Sequence, residues 1–135
     1  MTQRDPTIVR YRLGRAEECL QIAVDYADKL GDLFRVNRLY YACFYAVMAW
    51  MHATGRKSSK HTGVKAFVNK DLVRTGRLSP EAGRLYNNLE VTRLDADYGD
   101  FAEVNADDIH DWIPQVREFI DRMKIIIQED SEIAL

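Results

Sequence analysis

The chain has little with which to build cross-links, metal sites or sharp turns. Its 135 residues include two cysteines, three prolines and seven glycines. Cys19 and Cys43 both fall inside helical patterns, with no CxxC spacing and no metal-ligand residues nearby. They read as buried free thiols of a reducing cytoplasm rather than as a disulfide or a zinc site. His52, His61 and His110 are equally scattered, so no metal and no other cofactor is expected. An excess of one charge is also missing. The formal net charge is −2, which gives nothing global to attract nucleic acid or anionic lipid, so any nucleic-acid site must be a local patch. No apolar run approaches the roughly 20 residues of a membrane span. The amino end, Met-Thr-Gln-Arg-Asp-Pro, lacks the apolar core of a signal peptide, and a cytoplasmic protein is expected. There is no glycine-rich phosphate loop and no Gly-x-Ser-x-Gly turn. The few glycines and prolines lie mostly at boundaries, a distribution that favours an all-helical chain of a length suited to one core.

The chain is organised around Arg38–Trp50, Arg-Leu-Tyr-Tyr-Ala-Cys-Phe-Tyr-Ala-Val-Met-Ala-Trp, which carries no charge after its first residue. It is too long and too poor in β-branched residues for a strand, and reads as a central helix buried nearly all round. Ala42, Ala46, Ala49 and Ala53 form a small-residue stripe that allows another helix to come close. Tyr40, Phe44, Val47 and Met51 fill the gaps on the other faces.

Four further helices are expected around it. Asp5-Pro6 starts the first, which Gly31 closes. The second, carrying the central run, extends from near Asp32 to Gly55. A third follows the polar loop Arg-Lys-Ser-Ser-Lys, with Ser59 or Thr62 as its cap, and ends at Thr75-Gly76. Ser79-Pro80 starts the fourth and Gly99 stops it. Asn105 opens the fifth, where Asp107, Asp108 and Asp111 suit the helix dipole and Pro114 should kink the helix or mark an early boundary. The pattern predicts an all-α, five-helix up-and-down bundle over residues 1–127, with 128–135 as a frayed tail.

Three places could carry chemistry. The densest basic run is Arg-Lys-Ser-Ser-Lys-His at 56–61, either a solvated loop or, with His61 at a helix start, part of a phosphate site. Arg93 and Asp97 are four apart on one helical face with Tyr98 beside them. They form either an exposed ion pair worth about 0.3–0.5 kcal/mol or an arginine held ready for a phosphate. Arg38, beside Asn37 and Tyr41, stands at the edge of the buried helix and needs a partner, for which Asp97, Asp95 or Glu90 would serve. Arg38, Tyr41, His61, Arg93, Asp97 and Tyr98 are therefore the candidate binding residues around one polar groove. His61 follows the second helix, so either end of the bundle is open to it.

Asn-Arg-Leu-Tyr-Tyr-Ala-Cys-Phe-Tyr-Ala, then Lys-His-Thr-Gly-Val, then Arg-Leu-Asp-Ala-Asp-Tyr-Gly-Asp-Phe, in this order on a five-helix pattern, resembles the HEPN domain family. The resemblance runs from about Tyr11 to Ile127. It implies a helical bundle that forms homodimers, binds nucleotides or RNA, and works with a minimal nucleotidyltransferase in toxin–antitoxin-like pairs. Many members are metal-independent RNases built on an arginine followed by a histidine about one helical turn later; the histidine handles a proton and the arginine steadies the scissile phosphate. Arg93 matches that arginine, but Tyr98 stands where the histidine would be. Arg56 and His61 match the spacing, yet they span a loop and a helix start. The expectation is a nucleotide- or RNA-binding protein without the usual RNase motif. The alternatives are an RNase in which His61 replaces the missing histidine in space, and a dimerisation scaffold without a ligand.

Overall fold

The computed structural model describes residues 4–25, 31–58, 60–98 and 104–135, with the side chains of 95–98 outside that description. Helix α1 spans Pro6–Asp25, α2 Asp32–Thr54, α3 His61–Ala66, α4 Pro80–Tyr98 and α5 Ala106–Asp130. No strand occurs among the described residues. The chain is thus an all-α bundle, and α2 is its axis, packed against α1, α5, α4 and α3.

The position of α2 follows from its composition. Ala42, Ala46, Ala49 and Ala53 are at most 1% exposed, and Leu39, Tyr40, Val47 and Trp50 are sealed with them. Small side chains on one stripe let helix axes approach, and the larger ones interdigitate with Leu13, Ala16 and Leu20 of α1 and with Phe119, Ile120, Met123 and Ile127 of α5 in one core. Cys19 and Cys43 are buried free thiols. Phe44 departs from the expected core role: it is only half-buried and faces α3.

The helix ends obey their local chemistry. Asp5 accepts from the Thr7 amide, Ser79 Oγ from the Ala82 amide, and Asn105 Oδ1 from the Asp107 amide. Gly55 closes α2 at φ +75°, where a Cβ would also collide with the Arg4 guanidinium. Thr62 is not the cap of α3. Lys60 holds the cap position without a side-chain bond, Thr62 lies inside the helix, and Ser59 falls outside the described residues. The expected end of the first helix at Gly31 follows residues 26–30, also outside the description, as is Gly99 at the expected end of the fourth.

Two features were not expected from the pattern. From Phe67 to Val73 the third helix widens into π-helical turns. They keep Val68 and Leu72 inward while presenting Asn69 to Asn87 of α4, with which it exchanges two amide hydrogen bonds. Gly83 of α4 makes room for Val73 there. The fifth helix passes through Pro114 and beyond Ile127 to Asp130, after which Ile133 packs on the core and Arg10 donates to the Ala134 carbonyl. No helix among the described residues is long and apolar enough to cross a membrane.

Candidate functional site

The geometry that brings candidate residues together starts on one side of α2. Tyr40 and Phe44 are a helical turn apart, and Tyr41 adjoins them; the three rings pack at centroid distances of 5.2–5.8 Å. Tyr40 is fully buried, whereas Tyr41 and Phe44 are half-buried. Together they make an aromatic floor.

His61 reaches this floor because the loop after α2 doubles back. From Tyr40 to Thr54 the helix rises about 21 Å, and the six residues Gly55–Lys60 can span about 20 Å when extended. Lys60 is extended, at φ −114° and ψ 140°, and delivers His61 as the first residue of α3. Its Nδ1 lies 2.8 Å from the Tyr40 hydroxyl and its ring stacks on Phe44 at 4.6 Å. His61 is therefore at the Tyr40 level of the bundle and not at the far end of α2. Its Nε2 meets no hydrogen-bond partner among the described residues.

The fourth helix supplies the opposing wall. Arg93 is 9% exposed; its guanidinium lies 4.8 Å from the Tyr40 ring centroid and 5.8 Å from that of Tyr41. Glu90, one turn earlier and also buried, pairs with Lys65 of α3 at 3.7 Å. On the other side of Tyr41, Arg38 stands 5.4 Å from the same ring and 5.4 Å from Phe34. It donates twice to Asn37 Oδ1 and once to Cys19 Sγ. Arg38 is thus engaged by its own neighbour and by α1. Glu90 is engaged by Lys65, and the side chains of Asp95 and Asp97 lie outside the described residues.

Arg38, Tyr41, His61 and Arg93 are thus gathered on one surface. Asp97 and Tyr98 are on α4 within the last turns, with side chains that are not described. Lys57 is exposed on the loop, and His110 is exposed on α5. Sequence reasoning missed Tyr40 as a polar participant and treated it as core filler. The available signal was its hydroxyl: a tyrosine in an otherwise apolar buried run needs a partner for its O–H.

The electrostatics follow from burial and from Arg93. Desolvation, and then the Arg93 charge, hold the His61 pKa below the ordinary histidine value, while Glu90 pulls the other way. His61 is accordingly neutral near pH 7. Burial pushes the Tyr40 phenol up to about 12, so it keeps its proton. Two guanidiniums beside one aromatic floor favour an oxyanion such as phosphate, and the exposed Phe34 and half-buried Tyr41 rings offer stacking surface. No cluster of three or more His, Cys, Asp or Glu suited to a metal ion occurs among the described residues.

A separate cleft of about 420 Å³ opens between the start of α4 and α5, over Leu78, Leu85 and Phe119. Its Arg77 is occupied by Glu129 and Asp130, and Arg122 donates to the Arg77 carbonyl. None of the candidate residues lines it.

Comparison with known proteins places these observations in a family. The chain matches the family model described as HEPN domain over residues 9–126. It is 37% identical over 122 residues to a UPF0332 protein of Thermotoga maritima, covering 90% of this chain and 92% of that one. A UPF0332 protein of Gloeobacter violaceus is 36% identical over 87 residues, 64% of this chain and 69% of the relative. A protein of Methanocaldococcus jannaschii named "Putative toxin" is 27% identical over 111 residues, covering 82% of this chain and 75% of that one.

Proposed function

The chain belongs to the HEPN family, and on that premise we propose that it binds a nucleotide or RNA by its phosphate on the surface formed by Arg93, His61, Arg38 and Tyr41. The observation that carries this reading is the meeting of Arg93 and His61 over Tyr40, from elements separated by most of α4 and the π-helical segment. Arg93 contributes a guanidinium that burial and ring stacking have already oriented, so little entropy is lost when it engages an anion. Arg38 contributes a second cation, and Tyr41 a face for a base. Asp97 and Tyr98 complete the proposed groove from the end of α4. The protein acts as a homodimer with a nucleotidyltransferase-domain partner in a toxin–antitoxin-like system, in the cytoplasm. The family membership and the name of the Methanocaldococcus relative support that setting.

The test is titration of wild type, Arg93→Ala and Lys57→Ala with a labelled oligonucleotide and with ATP. Loss of a charge-assisted contact of about 1.5–3 kcal/mol should weaken binding by Arg93→Ala roughly ten- to hundredfold, while Lys57→Ala changes little. Equal affinities, or no binding by wild type, would leave a scaffold without a ligand. Light scattering at micromolar concentration should give a dimer mass.

A second reading gains a specific observation. An RNase needs a proton-transfer group beside the arginine that steadies the phosphate, and His61 stands next to Arg93 although it lies on another helix. On this reading His61→Gln abolishes cleavage of RNA without weakening its binding to the same extent.

A further inference from the structure

Beneath His61 lies a file of hydroxyls that the binding reading leaves unused. Tyr40 is 0% exposed, and its hydroxyl has one hydrogen-bond partner, His61 Nδ1 at 2.8 Å. Behind it Tyr86 of α4 is also 0% exposed, its ring 5.8 Å from that of Tyr40. The Tyr86 hydroxyl is buried without a hydrogen-bond partner, a costly condition for a polar group. The two phenols nonetheless act on one another's ionisation, so their hydroxyls are neighbours.

We infer that Tyr86, Tyr40 and His61 form a hydroxyl relay that lets His61 take up one proton when a phosphate anion settles beside Arg93. The inference rests on the binding reading above and adds its regulation by pH. In the ligand-free protein the imidazole is neutral. Tyr40 donates its O–H to Nδ1, and the imidazole proton resides on Nε2; the opposite tautomer would strand the Tyr40 hydrogen in the core. When His61 is charged, Nδ1 carries a hydrogen of its own. Tyr40 must then accept from Nδ1 and turn its O–H elsewhere. The unpartnered Tyr86 oxygen is the acceptor within reach, and the rearrangement satisfies both phenols. The net event is uptake of one proton from hydronium in solution: one O–H bond of hydronium breaks, leaving water, and one N–H bond of His61 forms.

The groups facing His61 set the direction. From α2 they are the neutral Tyr40, Tyr41 and Phe44; from α4, the Arg93 cation and the Glu90 anion. On its own helix Lys65 is paired with Glu90, and Lys60 is exposed. Without a ligand, Arg93 and burial oppose a second positive charge. A phosphate brings negative charge beside the imidazole and accepts from Nε2–H, so the charged imidazole becomes favourable. Binding and protonation are therefore linked, and affinity rises as pH falls, by up to about tenfold per pH unit between the His61 pKa of the complex and the lower one of the free protein.

The experiment measures ATP and a 2′-O-methyl oligouridine binding to full-length wild type, His61→Gln and Tyr86→Phe from pH 8 to pH 5.5. Any titration of the ligand itself is common to all three proteins, so the difference in slope reports the protein. Wild type should gain affinity on acidification relative to His61→Gln. Tyr86→Phe should bind as wild type does at pH 8 and lose most of the gain. NMR titration of the His61 ring in wild type with and without ATP reads the same linkage without a variant, and the ligand should raise its pKa. Equal slopes in wild type and His61→Gln, or a His61 pKa that ATP leaves unmoved, overturn proton coupling while the binding reading stands. A Tyr86→Phe slope equal to wild type overturns the relay. Failure of both ligands to bind at every pH overturns the binding reading and this inference with it.

Discussion

The Tyr40 hydroxyl and His61 Nδ1 are 21 positions apart in the chain and 2.8 Å apart in space. This bond ties the short third helix to the buried axis and fixes which imidazole nitrogen faces outward. Tyr40→Phe keeps the ring and removes the bond. Urea denaturation should show a loss of about 1 kcal/mol, the usual net worth of a hydrogen bond. Ring nitrogen shifts of His61 should change from one dominant tautomer to a mixture. Unchanged stability together with an unchanged tautomer would mean that the bond does not orient His61.

Glu17 of α1 makes a second long-range tie. It accepts from Arg117 and from Lys124 of α5, the latter at 2.6 Å. The Arg117 hydrogen bonds, outweighing desolvation and aided by Lys124, lower its pKa from an ordinary 4.5 to about 2. Because the folded-state value is depressed, the stabilisation is complete above the ordinary value and disappears as pH falls from 4.5 towards 2. The carboxylate is about one-third exposed, so Glu17→Gln should cost only about 0.5–1 kcal/mol at pH 7 after solvent screening. Denaturation midpoints of the two proteins should converge by pH 2. A gap that persists there would assign the effect to packing.

The alanine stripe of α2 predicts intolerance of bulk. Ala46 is 0% exposed in the centre of the bundle. Ala46→Leu should lower stability by about 1–3 kcal/mol through overpacking. Calorimetry showing an unchanged melting temperature would mean that the helices around α2 do not pack as closely as their small residues imply.

How much of this was legible in the sequence differs between helix and site. The five helices and the burial of Ala42, Ala46, Ala49 and Ala53 could be read directly, because apolar spacing and end signals such as Ser79-Pro80 and Asn105 act locally. The continuation of α5 to Asp130 was less visible, because Gln128, Glu129 and Asp130 are polar. Asp130 is held by tertiary partners, accepting from Trp50 Nε1 and pairing with Arg77. The π-helical turns answer to Asn87 and Gly83 on another helix, which no local window contains. At the site, Arg93 and Arg38 were visible as cations in unusual places. The meeting of His61 with Tyr40 depended on the path of the loop from Gly55 to Lys60, and neighbouring residues do not encode that path. Phe44 was read as core for the same reason: its stacking partner is His61.

The claim that a phosphate ligand occupies the Arg93–His61 surface is tested most directly by amide NMR of wild type during addition of ATP and of the oligonucleotide. The largest shifts should fall on residues 37–45, 60–65 and 90–94, and should saturate together. Shifts concentrated at the Arg77 and Arg122 cleft, or none at millimolar ATP and saturating oligonucleotide, would contradict the account.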